Sequence, residues 1–208
     1  MLNPDARTLY TSVLTPPDGL LFAEAIATTF SLDLAVMLEA PVCLATLMQG
    51  DRAESDPFAV LEAIRRHAGD ISVYVQNGRI QAPKAGKPNP MFGFLENMIT
   101  EVNAPRKEGV FHPKVWAIRF VDPETSDTKI RLAVLTRNMT RDMSWDLSLV
   151  LEGWMENRNR KANRPLAHFF RMLPQLAIRP VASERVAQAE RFAEAVLGVD
   201  WELPDGFD

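Results

Sequence analysis

The hydrophobic and polar positions of this chain predict an α/β order of elements. Gly19 to Phe30 reads as a helix, because Leu21, Ala25 and Thr28 recur at helical spacing after the start signal Pro16-Pro17-Asp18. Leu32 to Glu39 fits either a strand or a helix. Val42 to Met48, bounded by Pro41 and Gly50, reads as a short buried strand. Pro57 to His67 carries a helical stripe of Phe58, Leu61, Ile64 and Arg65, and Ile71 to Val75 follows Gly69-Asp70 as a strand. Asn77-Gly78 signals a turn, and the prolines between Ala82 and Pro90 signal a loop. Phe92 to Val102 is expected to be helical and Pro105 to Gly109 a loop. Trp145 to Leu151 reads as a strand, and helices are expected at Pro165 to Leu173 and Glu184 to Leu197, with no internal repeat.

Between these lies an apolar strand, Val115 to Val121, a polar turn from Asp122 to Asp127, and a second strand, Ile130 to Arg137, which together read as an antiparallel hairpin. One end of the hairpin carries the chemistry. His112 and Lys114 are two residues apart, so on an extended chain they share a face, and the same rule puts Thr136 and Asn138 on one face of the second strand. An imidazole, an ammonium, a hydroxyl and an amide side by side suit the binding and attack of a phosphodiester. The ammonium and amide spread the anionic charge, and a neutral imidazole is a competent nucleophile near neutral pH.

His112-Pro113-Lys114, Leu135-Thr136-Arg137-Asn138-Met139-Thr140 and Trp145-Asp146 resemble the H-x-K and S/T-x-N motifs of the phospholipase D superfamily, nearest its nuclease and tyrosyl-DNA phosphodiesterase branches. The likeness is strongest over residues 110–153. It implies a mixed β-sheet flanked by helices, present here as a single half with one motif copy. It also implies His112, Lys114 and Asn138 as catalytic residues and Thr136, Arg137, Arg141 and Trp145 as substrate contacts, with no metal and no cofactor. Three positions depart from the pattern. The acid five residues after the H-x-K lysine is replaced by Arg119, the glycine before the hydroxyl residue by Leu135, and the glutamate ten residues after Asn138 by Ser148.

Length and composition set the frame. The 208 residues, 47 % hydrophobic, suffice for one sizeable core, and residues 1–200 are read as one domain with 201–208 as a tail, linker or strand start. The single cysteine, Cys43, excludes a disulfide framework and fits a reducing, cytoplasmic setting. No apolar run approaches the ~20 residues that span a bilayer, so no membrane partner is expected. A net charge of −4 argues against a broadly basic nucleic-acid coat, although Lys84, Lys87, Arg106, Lys107, Arg158, Arg160, Lys161 and Arg164 flank the motif strands. The acids Asp122, Glu124 and Asp127 read as a solvated hairpin tip, and Trp116, Trp145 and Trp154 serve either as core or as stacking platforms.

The implied scheme needs two histidines, one to attack and one to protonate the leaving oxygen. His67, near a helix end, and His168, with no lysine two residues on, read as structural. The partner histidine is therefore expected from a second copy in a homodimer, or from a second phospholipase D-like half. Two classes of function follow. One is a metal-independent nuclease-type phosphodiesterase working through a phosphohistidine. The other is an inactive module of the same fold that binds nucleic acid or protein.

Overall fold

The computed structural model describes residues 9–38, 40, 61–62, 65–81, 90–141 and 145–203. Seven strands form one mixed sheet in the order β5-β3-β1-β6-β7-β8-β9. These are β1 (Leu21–Thr29), β3 (Ile71–Gln76), β5 (Ile99–Val102), β6 (Val115–Val121), β7 (Thr128–Leu135), β8 (Ser148–Met155) and β9 (Val199–Glu202). β1, β3 and β5 run parallel, while β6 to β9 form an antiparallel meander that joins at β1. A two-residue pair, β2 (Leu32–Asp33) with β4 (Ile80–Gln81), sits beside the main sheet.

β1 corrects the helix expected over Gly19 to Phe30. The chain makes strand pairs on both sides here, with β3 and with β6, and Glu24 to Thr29 are buried throughout. A central strand is covered on both faces and so shows no alternation. Alanines at 25 and 27 face one core, and Ile26 faces the other. Small residues there let the covering layers come close, and tertiary packing overrides the helical propensity of alanine. Phe92 to Val102 is likewise corrected. Pro90–Met98 winds as a 3-10 helix, and the β-branched pair Ile99-Thr100 then opens strand β5. Leu32 to Glu39 resolves into β2 followed by α2 (Leu34–Met37), with the Asp33 carboxylate accepting the Ala35 N–H at 2.8 Å as an N-cap. The strand expected at Val42 to Met48 and the loop from 82 to 89 lie outside the described residues, as does most of the helix from Pro57, of which residues 61–62 and 65–67 are helical.

One sheet face packs under α1 (Tyr10–Leu14), α2 and the 3-10 helix, with Trp116 fully buried and its indole N–H donating to the Tyr10 hydroxyl at 2.7 Å. The other face is covered by α3 (Arg164–Met172) and α4 (Ser183–Leu197), which place Phe170, Leu173, Phe192 and Val196 over Ile26, Tyr74, Ala117 and Leu132. Buried Arg185 anchors α4 by donating to the carbonyls of Ala68, Gly69, Ile71 and Asn97 at 2.8–2.9 Å. Trp201 and Glu202, where the tail or strand start was expected, complete β9 and pair with Gly153 and Glu152. Among the described residues no helix is long and apolar enough to cross a membrane.

The parallel strands end at one edge of the sheet. There β6 begins and β7 stops, so the H-x-K and T-x-N segments meet where open α/β sheets hold their ligands.

Candidate active site at the strand ends

His112 is carried by the extended segment between β5 and β6. Phe111 is buried in the core under α3 and α4, and its N–H donates to the Gln76 side chain at 2.6 Å. Pro113 holds His112 in extended backbone, which turns its side chain away from that of Phe111 and leaves the ring exposed. Lys114 is fixed by its neighbours. Its carbonyl accepts from Leu135 N–H at 2.9 Å, and the next N–H, that of Val115, donates to the Thr28 hydroxyl at 3.1 Å.

The expected pairing of His112 and Lys114 is present. The Lys114 Nζ lies 3.0 Å from His112 Nδ1 and 3.2 Å from Nε2. An ammonium has donors only, so this contact is a hydrogen bond when the facing imidazole nitrogen carries no proton. Lys114 is only 8 % exposed, and burial lowers its pKa from the ordinary 10.5. Among the described residues no carboxylate pairs with it. A buried cation held against an imidazole, with no acid to neutralise it, is a site for an anion.

Asn138 approaches the same strand end from the other side. Its amide lies 3.5 Å from the hydroxyl of Thr29, which donates to the Ser31 carbonyl at 2.8 Å and accepts the Met139 N–H at 3.2 Å. Phe30, the next residue, packs its ring on that of His112 with centroids 4.9 Å apart. Thr29 and Phe30 are thus the link that brings the Asn138 and His112 segments to one place.

Thr136 and Asn138 do not share a strand face, which corrects that expectation. β7 ends at Leu135, and Thr136 turns to accept from Leu147 N–H at 3.0 Å and to meet the Asp146 carboxylate at 3.1 Å. Arg137 joins the same group, donating to Asp146 at 3.2 Å and to the Thr140 carbonyl at 3.0 Å. Thr136, Arg137 and Asp146 therefore brace the loop that presents Asn138. Arg141 is exposed, and Trp145 is exposed to 84 %. Among the described residues no three His, Cys, Asp or Glu side chains cluster as metal ligands would.

The departure at position 119 has a structural account. Arg119 pairs with buried Glu24 at 3.1 Å, and Glu24 also takes Arg191 of α4 at 2.8 Å, so these charges tie helix to sheet well away from His112. His67 packs edge-on against Phe22 at 5.2 Å, with Nδ1 3.5 Å from Asp70. Phe22 is eight residues before Phe30 on an extended strand, a span of roughly 25 Å, so His67 sits at the far end of β1 from His112. His168 is exposed on α3. The sequence reading missed Thr29, Phe30 and Gln76, the first two because Gly19 to Phe30 reads as a helix.

No family model and no curated protein matches the sequence. Solved structures do. Yeast tyrosyl-DNA phosphodiesterase aligns over 88 % of this chain with a TM-score of 0.52 at 9 % identity. Its histidine-to-arginine mutant aligns over 91 % with a TM-score of 0.52 at 10 % identity, and its histidine-to-asparagine mutant over 91 % with 0.51 at 11 %. The alignments span 36 %, 37 % and 38 % of those chains, little more than a third of their length. At such identity the likeness is one of fold alone: this chain shares the mixed, helix-flanked sheet of those structures over little more than a third of their length.

Proposed function

We propose that the chain is one half of a metal-independent phosphodiesterase that cleaves nucleic acid through a phosphohistidine at His112. The observation that carries this reading is the buried Lys114 ammonium, which touches the His112 ring and has no carboxylate partner among the described residues. The unprotonated ring nitrogen of His112 attacks phosphorus, an N–P bond forms, and the bond to the leaving oxygen breaks. Lys114 and the Asn138 amide donate to the non-bridging oxygens as charge gathers there. A second histidine protonates the leaving oxygen and then takes a proton from water, which attacks phosphorus and releases His112. The remote position of His67 supports drawing that second histidine from another copy of this chain or from a second half of the same fold, in a cytoplasmic setting.

The alternative is a binding module of the same fold without turnover. It is favoured by one observation, the engagement of Thr136 with Asp146 and Leu147. Hydrolysis of bis(p-nitrophenyl) phosphate and of an end-labelled oligonucleotide in EDTA, over a dilution series, separates the two. Cleavage that resists EDTA, vanishes in His112→Asn and falls away on dilution to monomer is the expected result. Full specific activity from a monomer would overturn the two-histidine scheme, and no cleavage at any concentration would rule out the homodimer and leave the binding module or a chain that needs its second half.

A further inference from the structure

The turn after β3 places a second cation beside the site. Gly78 has φ 73°, the left-handed conformation that glycine adopts without strain, and its N–H donates to the Glu101 carboxylate at 2.9 Å. Arg79 follows, and its backbone is held at both ends, its N–H donating to the Gln76 carbonyl at 3.1 Å and its carbonyl accepting from Leu32 N–H at 3.0 Å. The guanidinium lies over the Phe30 ring, 5.0 Å from the centroid, and that ring in turn packs on His112. Arg79 is exposed, and among the described residues no carboxylate pairs with it. Glu101, the acid at this turn, is taken up by the backbone of Gly78. Stacking uses the face of a guanidinium and leaves its N–H edges to bind an anion in bidentate fashion.

We propose that Arg79 is a second phosphate contact of this site, so that the substrate is a nucleic-acid strand and not an isolated diester. The inference rests on the phosphodiesterase site described above and adds a contact to a phosphate beyond the reacting one. A single phosphodiester brings one negative charge, which Lys114 meets. A second unpaired cation, joined to the reacting imidazole through one aromatic ring, matches a neighbouring phosphate on the same strand. Phe30 serves as the spacer that fixes the distance between the two anion contacts.

The test compares a charged strand with a minimal diester. Binding of a fluorescent single-stranded oligonucleotide to His112→Asn protein is followed by anisotropy across a salt series, with and without Arg79→Ala and Arg79→Lys. Loss of one phosphate contact is expected to reduce the slope of log K against log salt by about 0.7. It is also expected to weaken binding about five-fold at low salt, in line with an exposed charge pair. Arg79→Lys keeps the charge and restores the slope. In the His112-intact protein, Arg79→Ala should reduce oligonucleotide cleavage far more than hydrolysis of bis(p-nitrophenyl) phosphate. An unchanged salt slope, or no oligonucleotide binding at all, would overturn the proposal even where the small diester is cleaved. An equal loss on the small diester would also overturn it, since Arg79 would then act only through the orientation of His112. Arg79-dependent binding in a protein that cleaves nothing would uphold this proposal while refuting the catalytic reading.

Discussion

Replacing Lys114 with methionine should stabilise the fold and abolish anion binding together. The side chain is 8 % exposed and has no acid partner among the described residues, so its charge is carried at a cost. Exchanging such a buried charge for an apolar side chain of similar volume ranges from neutral to a gain of about 1–4 kcal/mol. The lost hydrogen bond to the His112 ring offsets about 1 kcal/mol of that. The expected net gain is therefore about 1 kcal/mol, which raises Tm by about 2–4 °C for a domain of this size. Inorganic phosphate at a hundred times its Kd should add about 2.7 kcal/mol to the wild type and nothing to Lys114→Met. The pH dependence has a definite sign. Burial lowers the folded-state pKa of Lys114 below 10.5, so the unfolded chain binds more protons between the two values, and stability rises with pH across that window. Tyr74, whose burial pushes its pKa up to about 12, acts in the opposite sense above about pH 10, but it is common to both proteins and cancels in their difference. Thermal unfolding by circular dichroism, with and without phosphate, reads all three effects. A Lys114→Met protein more than about 1 kcal/mol less stable, or one that keeps the phosphate shift, would refute the reasoning.

Three further outcomes are expected. Burial holds the His67 imidazole below its usual 6.5 against the pull of Asp70, so stability is full above 6.5 and falls as the pH drops through it toward the folded value. His67→Phe should flatten urea-unfolding free energies measured across that window, and an unaltered slope would contradict the assignment. Arg185→Met should cost more than about 3 kcal/mol in chemical denaturation, because it strips donors from four carbonyls at once. Gly153→Ala should cost about 1–3 kcal/mol and expose β9 to hydrogen exchange, because its Cβ would fall 2.1 Å from the Asp200 carbonyl oxygen and force β9 off β8.

The hairpin and the two closing helices were legible in the sequence because each has a local signature. Val115 to Val121 is apolar and bounded by turn residues, and α3 and α4 carry clear helical stripes ending near Leu173 and Gly198. β1 was not legible, since a strand paired on both edges and covered on both faces loses the period of two, and Leu21, Ala25 and Thr28 then fall at helical spacing. The site follows the same division. His112 and Lys114 lie two apart in sequence and meet as expected. Their links to Thr29, Phe30 and Arg79 come from long-range pairing, β1 antiparallel with β6 and β2 parallel with β4, which leaves no trace in local spacing. Thr136 shows the limit of the period-two rule, which failed because the strand stops one residue earlier at Leu135.

The central claim is covalent chemistry at His112, and mass spectrometry of the reacting protein tests it most directly. Protein mixed with an oligonucleotide substrate in EDTA, quenched at alkaline pH where N–P bonds survive, and digested should yield a nucleotidyl or phosphoryl adduct on the peptide that contains His112. The adduct should be absent from His112→Asn and from Lys114→Met. Cleavage that proceeds in EDTA without any adduct on His112, or an adduct on another residue, would contradict it.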